Sequence, residues 1–180
     1  MTDPARFEGF VREFQDMVFA TAVRLLGRAA DAEDVAQTVF LKAFERFDEI
    51  GVSPAAAGWL KTVTTNLCLN HLSRHRRRWW LFSEMGRREG ETEVGYETTL
   101  ASPGSHAADF ERERDRAELE RALRALPDDQ RVALVLFHFE DKSHREIAGL
   151  LNRSLAKVKT DLHRGRAALR AHIEARHGSR

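Results

Sequence analysis

The stretch that most constrains the fold runs from residue 143 to residue 173, SHREIAGLLNRSLAKVKTDLHRGRAALRAHI. Ser143 precedes Glu146 by three positions, the spacing of a capping box. In that arrangement the hydroxyl accepts from a first-turn amide while the carboxylate reaches back to the capping residue's own N–H. Ile147, Leu150 and Leu151 follow at helical spacing. Asn152 tolerates left-handed backbone, and Ser154 offers a second N-cap for a helix with Val158, Leu162 and Leu169 on its apolar face. A short capped helix, a three-residue turn and a longer basic helix predict a helix-turn-helix.

The rest of the chain carries the same period. Phe7, Phe10, Val11, Phe14, Met17, Val18, Leu25 and Leu26 recur at three-and-four spacing, and Gly27 can end that helix. Asp31 is the expected N-cap of the next, with Glu33 and Asp34 in its first turn and Val35, Val39, Phe40, Phe44 and Phe47 on its apolar face. Ser53 and Pro54 mark a third start, running through Trp59, Leu60, Val63 and Leu67 towards an arginine block. Residues 83 to about 110 lose the period and gather Gly, Ser, Thr and Glu, the composition of a flexible linker. Leu119, Ala122, Leu123 and Leu126 then share a face, and Pro127 starts another segment. Within it, Val132 to Phe139 fits a buried strand in isolation, but helical neighbours on both sides favour helix. The expected fold is all-α: two small helical domains, 1–82 and 113–180, with 83–112 between them.

Charge follows these divisions. Residues 1–60 sum to −4, 61–88 to +6, 89–142 to −7 and 143–180 to +6, so an overall +1 conceals two basic blocks, each behind an acidic one. Two separate polyanion contacts account for that alternation, as do two solvated helix faces. The single Cys68 rules out an internal disulfide framework, and neither a signal-peptide pattern nor a membrane-length apolar run is present, which predicts a cytoplasmic protein without membrane insertion.

The second helix of the predicted helix-turn-helix presents Lys157, Lys159, Thr160, His163, Arg164 and Arg166 around its apolar face, with Asp161 the single acid among them. Such a surface suits phosphates and base edges. The other basic block, NHLSRHRRRWW at 70–80, admits three readings. Cys68, His71 and His75 could face one side of a helix as zinc ligands, but a divalent cation there would sit among Arg74, Arg76, Arg77 and Arg78 with no carboxylate before Glu84. No metal is therefore expected. Trp79 and Trp80 could stack on unpaired bases or close the hydrophobic core. No His-Glu-x-x-His, Gly-x-Ser-x-Gly or phosphate-binding loop occurs, so neither an enzyme nor a cofactor is expected.

Together three stretches resemble the extracytoplasmic-function group of bacterial sigma factors, the promoter-recognition subunits of RNA polymerase. DAEDVAQTVFLKAF (31–44) is similar to the family's region-two signature, which docks on the clamp coiled coil of the largest polymerase subunit. GWLKTVTTNLCLNHLSRHRRR (58–78) is similar to the segment that melts and reads the minus-ten element, and residues 119–170 resemble region four, which reads the minus-thirty-five element and touches the flap of the second-largest subunit. The resemblance implies a dissociable initiation subunit that binds polymerase core and promoter DNA and has an anti-sigma factor as a further partner. It assigns Asp31, Glu33, Asp34, Gln37 and Phe40 to core docking. Asn66, with the loop at 48–57, is assigned to holding a flipped base, and Arg74, Arg76, Arg77 and Arg78 to the strand. Lys157, Lys159, Thr160, Arg164 and Arg166 are assigned to the upstream element. Two other classes stay open: a helix-turn-helix regulator that works without polymerase, and an adaptor whose basic faces meet acidic proteins.

Overall fold

The computed structural model describes residues 3–83 and 107–177, and within them the side chains of 3–76 and 112–175. Every regular element among the described residues is helical. In the first half these are α1 (Pro4–Leu26), α2 (Ala29–Glu45), α3 (Phe47–Ile50) and α4 (Ala56–Ser83); in the second, α5 (Ala107–Arg124), α6 (Asp128–His138), α7 (His144–Leu151) and α8 (Leu155–His177). Most of the predicted linker, 84–106, lies outside the described residues.

Local chemistry explains most of the boundaries. The Asp3 carboxylate accepts from the Ala5 amide at 3.0 Å with Pro4 at the first helical position, and α1 ends at Gly27. That glycine is left-handed at φ 75°, and its N–H closes onto the Val23 carbonyl at 2.8 Å. The start of α2 corrects one expectation. Arg28 occupies the cap position without a side-chain cap, and Asp31 sits inside the first turn with its carboxylate 3.7 Å from Arg28 and 3.5 Å from His71 of α4. A second correction follows at Phe47, which leaves α2 at Arg46 to open the short α3. A third is that α4 begins at Ala56 and not at Pro54, although the Ser53 hydroxyl accepts from the Ala55 amide at 3.2 Å just ahead of it. The turn between α3 and α4 needs Gly51, because a Cβ there would come within 2.6 Å of the Phe47 ring and 2.8 Å of its carbonyl. Helices α1, α2 and α4 enclose Phe10, Val18, Leu25, Val39 and Leu60, and the Phe47 ring meets Phe7 and Phe10 edge-on at 5.2 and 5.4 Å.

The second half matches the capped pattern closely. Residues 132–138 are helical, and every residue from Arg131 to Leu136 is buried, which a short strand pattern could not be distinguished from in isolation. Both arms of the capping box are present, Ser143 N–H to Glu146 Oε2 at 2.7 Å and Glu146 N–H to Ser143 Oγ at 3.3 Å. Asn152 is left-handed at φ 50°, and the Ser154 hydroxyl accepts from Lys157 N–H at 3.2 Å. Because an alanine pays a steric cost at this φ that asparagine partly avoids, Asn152→Ala is expected to lower unfolding stability by about 1 kcal/mol and Asn152→Gly to leave it level or raise it, read by urea titration. Helix α5 begins at Ala107, ahead of the first legible apolar repeat at Leu119, because its opening turns carry mostly charged residues.

The two halves are docked. Helix α6 lies against the C-terminal end of α1, and the guanidinium of Arg131, with only 4% of its side chain exposed, donates to the carbonyls of Leu25 at 3.3 and 3.4 Å and Leu26 at 3.0 Å. Within its own half the same group donates to the Leu126 carbonyl at 3.1 Å and the Asp128 carboxylate at 2.6 Å. A cation at the end of α1 opposes the partial negative charge of its last carbonyls. The left-handed turn leaves just the room required: a Cβ on Gly27 would stand 2.8 Å from the Arg131 guanidinium carbon.

Candidate nucleic-acid interface

Helix α8 buries Val158 and Leu162 and turns Lys159, Thr160, His163, Arg164 and Arg166 to the surface. Lys159 and Arg164 have no ion-pair partner among the described residues, so their charge is available to a polyanion. Arg166 lies over the Phe137 ring, 5.2 Å from its centroid, which fixes the guanidinium at the root of α8. Asp161 departs from its expected surface placement. It is 3% exposed and pairs with Arg153 at 3.2 Å and with Lys157, so the acid is drawn inward and leaves the outer face cationic. Lys157 keeps 45% of its side chain exposed but is shared between Asp161 and Asp129, the latter at 3.8 Å.

Helix α4 exposes Asn66 and Arg74 on the first half. Of the expected loop at 48–57, residues 48–50 belong to α3 and 56–57 to α4, which leaves a short turn at 51–55 that presents Val52, 73% exposed, next to Gly51. Arg76 is exposed yet reaches across to Asp129 of α6 at 2.9 Å. The side chains of Arg77, Arg78, Trp79 and Trp80 fall outside the described residues, although the α4 backbone continues through them to Ser83. Asp129 is thus the meeting point of cations from both halves, with Arg153 at 2.6 Å as its tightest partner. The hydrogen bond from Arg153 holds its carboxyl below the ordinary value of 3.8 against the opposing effect of burial, with Arg76 and Lys157 adding to the depression.

The metal reading of the α4 block fails on geometry. Cys68 is fully buried in the core, where burial, with the Glu140 carboxylate adding to it, pushes its thiol up to about 12, so it is not presented at the surface beside the histidines. His71 is directed at Asp31, and His75 is exposed. Excess zinc is therefore expected to leave the thermal midpoint and DNA affinity unchanged; stoichiometric binding lost on Cys68→Ser would overturn this.

A different surface of the first half is apolar. Between α1 and α2 runs an apolar groove of about 810 Å³, lined by Phe7, Val11, Phe19, Ala36, Phe40, Leu41 and Phe44, with Gln15, Asp16, Glu33 and Gln37 at its polar margin. Leu41 and Phe44 are 66% and 47% exposed, unusual for large apolar side chains in adjacent turns of one helix. Of the five residues assigned to docking, the fold brings Glu33, Gln37 and Phe40 together here, while Asp31 turns towards α4 and Asp34 lies outside the lining. Leu41 also lines the groove, a position that no sequence expectation had singled out. The signal was present: apolar positions at Phe40, Leu41 and Phe44 span more of the helix than one core-facing stripe can bury.

Residues 10–78 match the family described as Sigma-70 region 2, and residues 116–169 match Sigma-70, region 4. The chain is 34% identical over 176 residues to the RNA polymerase sigma-E factor of Streptomyces coelicolor, across 98% of this chain and 90% of that protein. It is 29% identical over 174 residues to the ECF RNA polymerase sigma factor SigW of Bacillus subtilis, across 95% and 90% of the two. In fold it is similar to the sigma factor RpoE of Bartonella quintana, solved in complex with the anti-sigma factor NepR, with a TM-score of 0.53 at 22% identity over 93% of this chain and 96% of that one.

Proposed function

The chain belongs to the extracytoplasmic-function group of the sigma-70 family, and on that premise we propose that it brings RNA polymerase core to particular promoters by docking on it, opening the minus-ten element and reading the minus-thirty-five element. The observation that carries this reading is the coexistence, on one small chain, of an exposed apolar groove between α1 and α2 and a cationic outer face on α8. A regulator acting on duplex DNA alone would dimerise and could bury the groove against a second copy, so binding to core is what separates the two readings. An adaptor for acidic proteins has no use for a capped helix-turn-helix.

Under this reading the working units are 1–82 and 113–180, joined by 83–112. The groove between α1 and α2 receives an amphipathic partner on the largest polymerase subunit, with Phe40, Leu41 and Phe44 as apolar anchors and Glu33 and Gln37 steering at the rim. Asn66 and residues 48–57 hold a base turned out of the duplex. Unstacking costs a few kcal/mol, so the site must return that energy through a pocket and nearby cations, which Arg74 and Arg76 to Arg78 provide. Lys159, Thr160 and Arg164 read the upstream element from α8, supported by Lys157 and Arg166, and the second half touches the flap of the second-largest subunit. The protein acts as a regulatory subunit with no catalytic step or cofactor of its own, works in the cytoplasm, and is held in reserve by an anti-sigma factor. No described helix is long and apolar enough to cross a membrane.

The test is binding to core. Fluorescently labelled protein titrated with purified polymerase core should give a saturable complex that competes with another sigma factor. Tight binding to duplex DNA combined with no measurable core binding would leave the polymerase-independent regulator as the better reading.

A further inference from the structure

Helix α8 is a cationic helix with one acid turned inward. Asp161 follows Lys157 by four positions and keeps only 4% of its side chain exposed. Taking a carboxylate out of water is costly unless cations and hydrogen bonds replace the solvent, so the groups around it fix where it sits. The Arg153 guanidinium, in the turn ahead of α8, donates to Asp161 Oδ2 at 3.2 Å, and the Lys157 ammonium donates to Oδ1. Arg153, itself 14% exposed, sends its other terminal nitrogen to Asp129 of α6 at 2.6 Å, and Lys157 stands 3.8 Å from the same acid. Two acids and two cations thus close a ring through α6, the turn and α8, all within the second half.

We propose that Arg153 and Asp161 are positioning residues for reading the upstream element: their ring sets the direction in which α8 leaves its turn and keeps Lys157 as a brace, leaving contact with the DNA to Lys159, Thr160 and Arg164. This rests on the promoter-reading role of α8 and goes beyond it by assigning the turn and the buried acid.

Direction and charge contribute separately. Val158 and Leu162 bury one side of α8, but apolar contact is non-directional and opposes rolling about the helix axis only weakly. Hydrogen bonds from a planar guanidinium are directional, and its fork reaches two carboxylates at once, whereas an ammonium is a point charge. Contacts to base edges discriminate only where the side chain arrives in the right orientation, so a helix that rolls reads its element less sharply. Charge works the other way. A free ammonium attracts every phosphate alike and strengthens binding without adding sequence information. Asp161 engages that charge on Lys157, whereas Lys159 and Arg164 have no ion-pair partner among the described residues.

The experiment uses holoenzyme reconstituted from polymerase core and the full chain, with duplex promoters that carry either the upstream element this holoenzyme selects or single-base changes in it. Arg153→Lys keeps the charge and loses the fork; it should reduce discrimination per altered base pair from about tenfold to about twofold. A fraction of unfolded protein would scale both affinities alike and leave their ratio unmoved, which separates positioning from simple destabilisation. The second arm is a mutant cycle. Lys157→Ala should flatten the dependence of log affinity on log salt more in the Asp161→Asn background than in the parent, by about 0.9, the contribution of one phosphate contact. Unchanged discrimination in Arg153→Lys overturns the positioning role, and an equal change of slope in both backgrounds overturns the brace. Failure of the sigma reading is seen before either arm: the parent holoenzyme then selects no upstream element, and the proposal falls with it.

Discussion

Arg131→Ala is expected to destabilise the protein by about 3 kcal/mol and to uncouple its two halves. Loss of the guanidinium, only 4% exposed, leaves the carbonyls of Leu25, Leu26 and Leu126 without this buried donor. A buried acceptor stripped of its partner costs its full desolvation, and several share this donor. The contrast is Asp128→Ala. Asp128 is the ion-pair partner of Arg131 but is 59% exposed, so its removal should cost under about 1 kcal/mol. The signature extends beyond the midpoint. All three tryptophans, Trp59, Trp79 and Trp80, belong to the first half, so their fluorescence follows that half while far-UV dichroism follows every helix. In urea the two signals should coincide for the parent protein and separate for Arg131→Ala. Coincident curves and a loss below about 1 kcal/mol would mean that the guanidinium is not buried between the halves in solution.

The second large effect concerns the groove. Leu41→Asp is expected to weaken binding to polymerase core by about a hundredfold, or about 2.7 kcal/mol, the scale of an anchor residue lost from the centre of an interface. Because Leu41 is 66% exposed in the free protein, its stability should change by no more than about 0.5 kcal/mol. Glu33→Ala at the margin should act differently, slowing association and flattening its salt dependence while leaving dissociation nearly unchanged. Competition against labelled parent protein on core measures the first, and stopped-flow mixing the second. Leu41→Asp binding core as tightly as the parent would remove the groove from the docking surface.

What could be read ahead of the structure depended on the range of each interaction. The helix-turn-helix was fully legible because its determinants lie within a few residues of each other: Ser143 with Glu146, Asn152 in the turn, Ser154 with Lys157. The same local reasoning failed at Asp31, which by type suits an N-cap but is engaged by His71, forty residues away in sequence. It failed again at Asp161, whose place on a basic helix suggested the surface. Its burial depends on Arg153 and on the ion-pair cluster around Asp129, neither of which helical periodicity reports. The docking of the halves was least legible of all, since the bonds from Arg131 to Leu25 and Leu26 join residues more than a hundred positions apart. Of the candidate site, the cationic face of α8 follows from helical periodicity, whereas Asn66 was assigned through the family resemblance and Arg74 through the basic block; both are exposed on α4. The groove was half visible: Glu33, Gln37 and Phe40 were named through the resemblance, and Leu41 stood out only as an apolar excess on α2 until the packing of the described helices left it exposed.

The most direct test of the sigma reading is promoter-selective transcription. Purified core polymerase, reconstituted with this protein, is given a library of randomised upstream sequences, and the transcripts are sequenced from their 5′ ends. Initiation should gather at defined positions behind two sequence elements, one near minus ten and one near minus thirty-five. Arg74→Ala should reduce initiation across the library, and Lys159→Ala with Arg164→Ala should relax selection at the upstream element alone. Start sites indistinguishable from those of core polymerase without the protein would contradict the account.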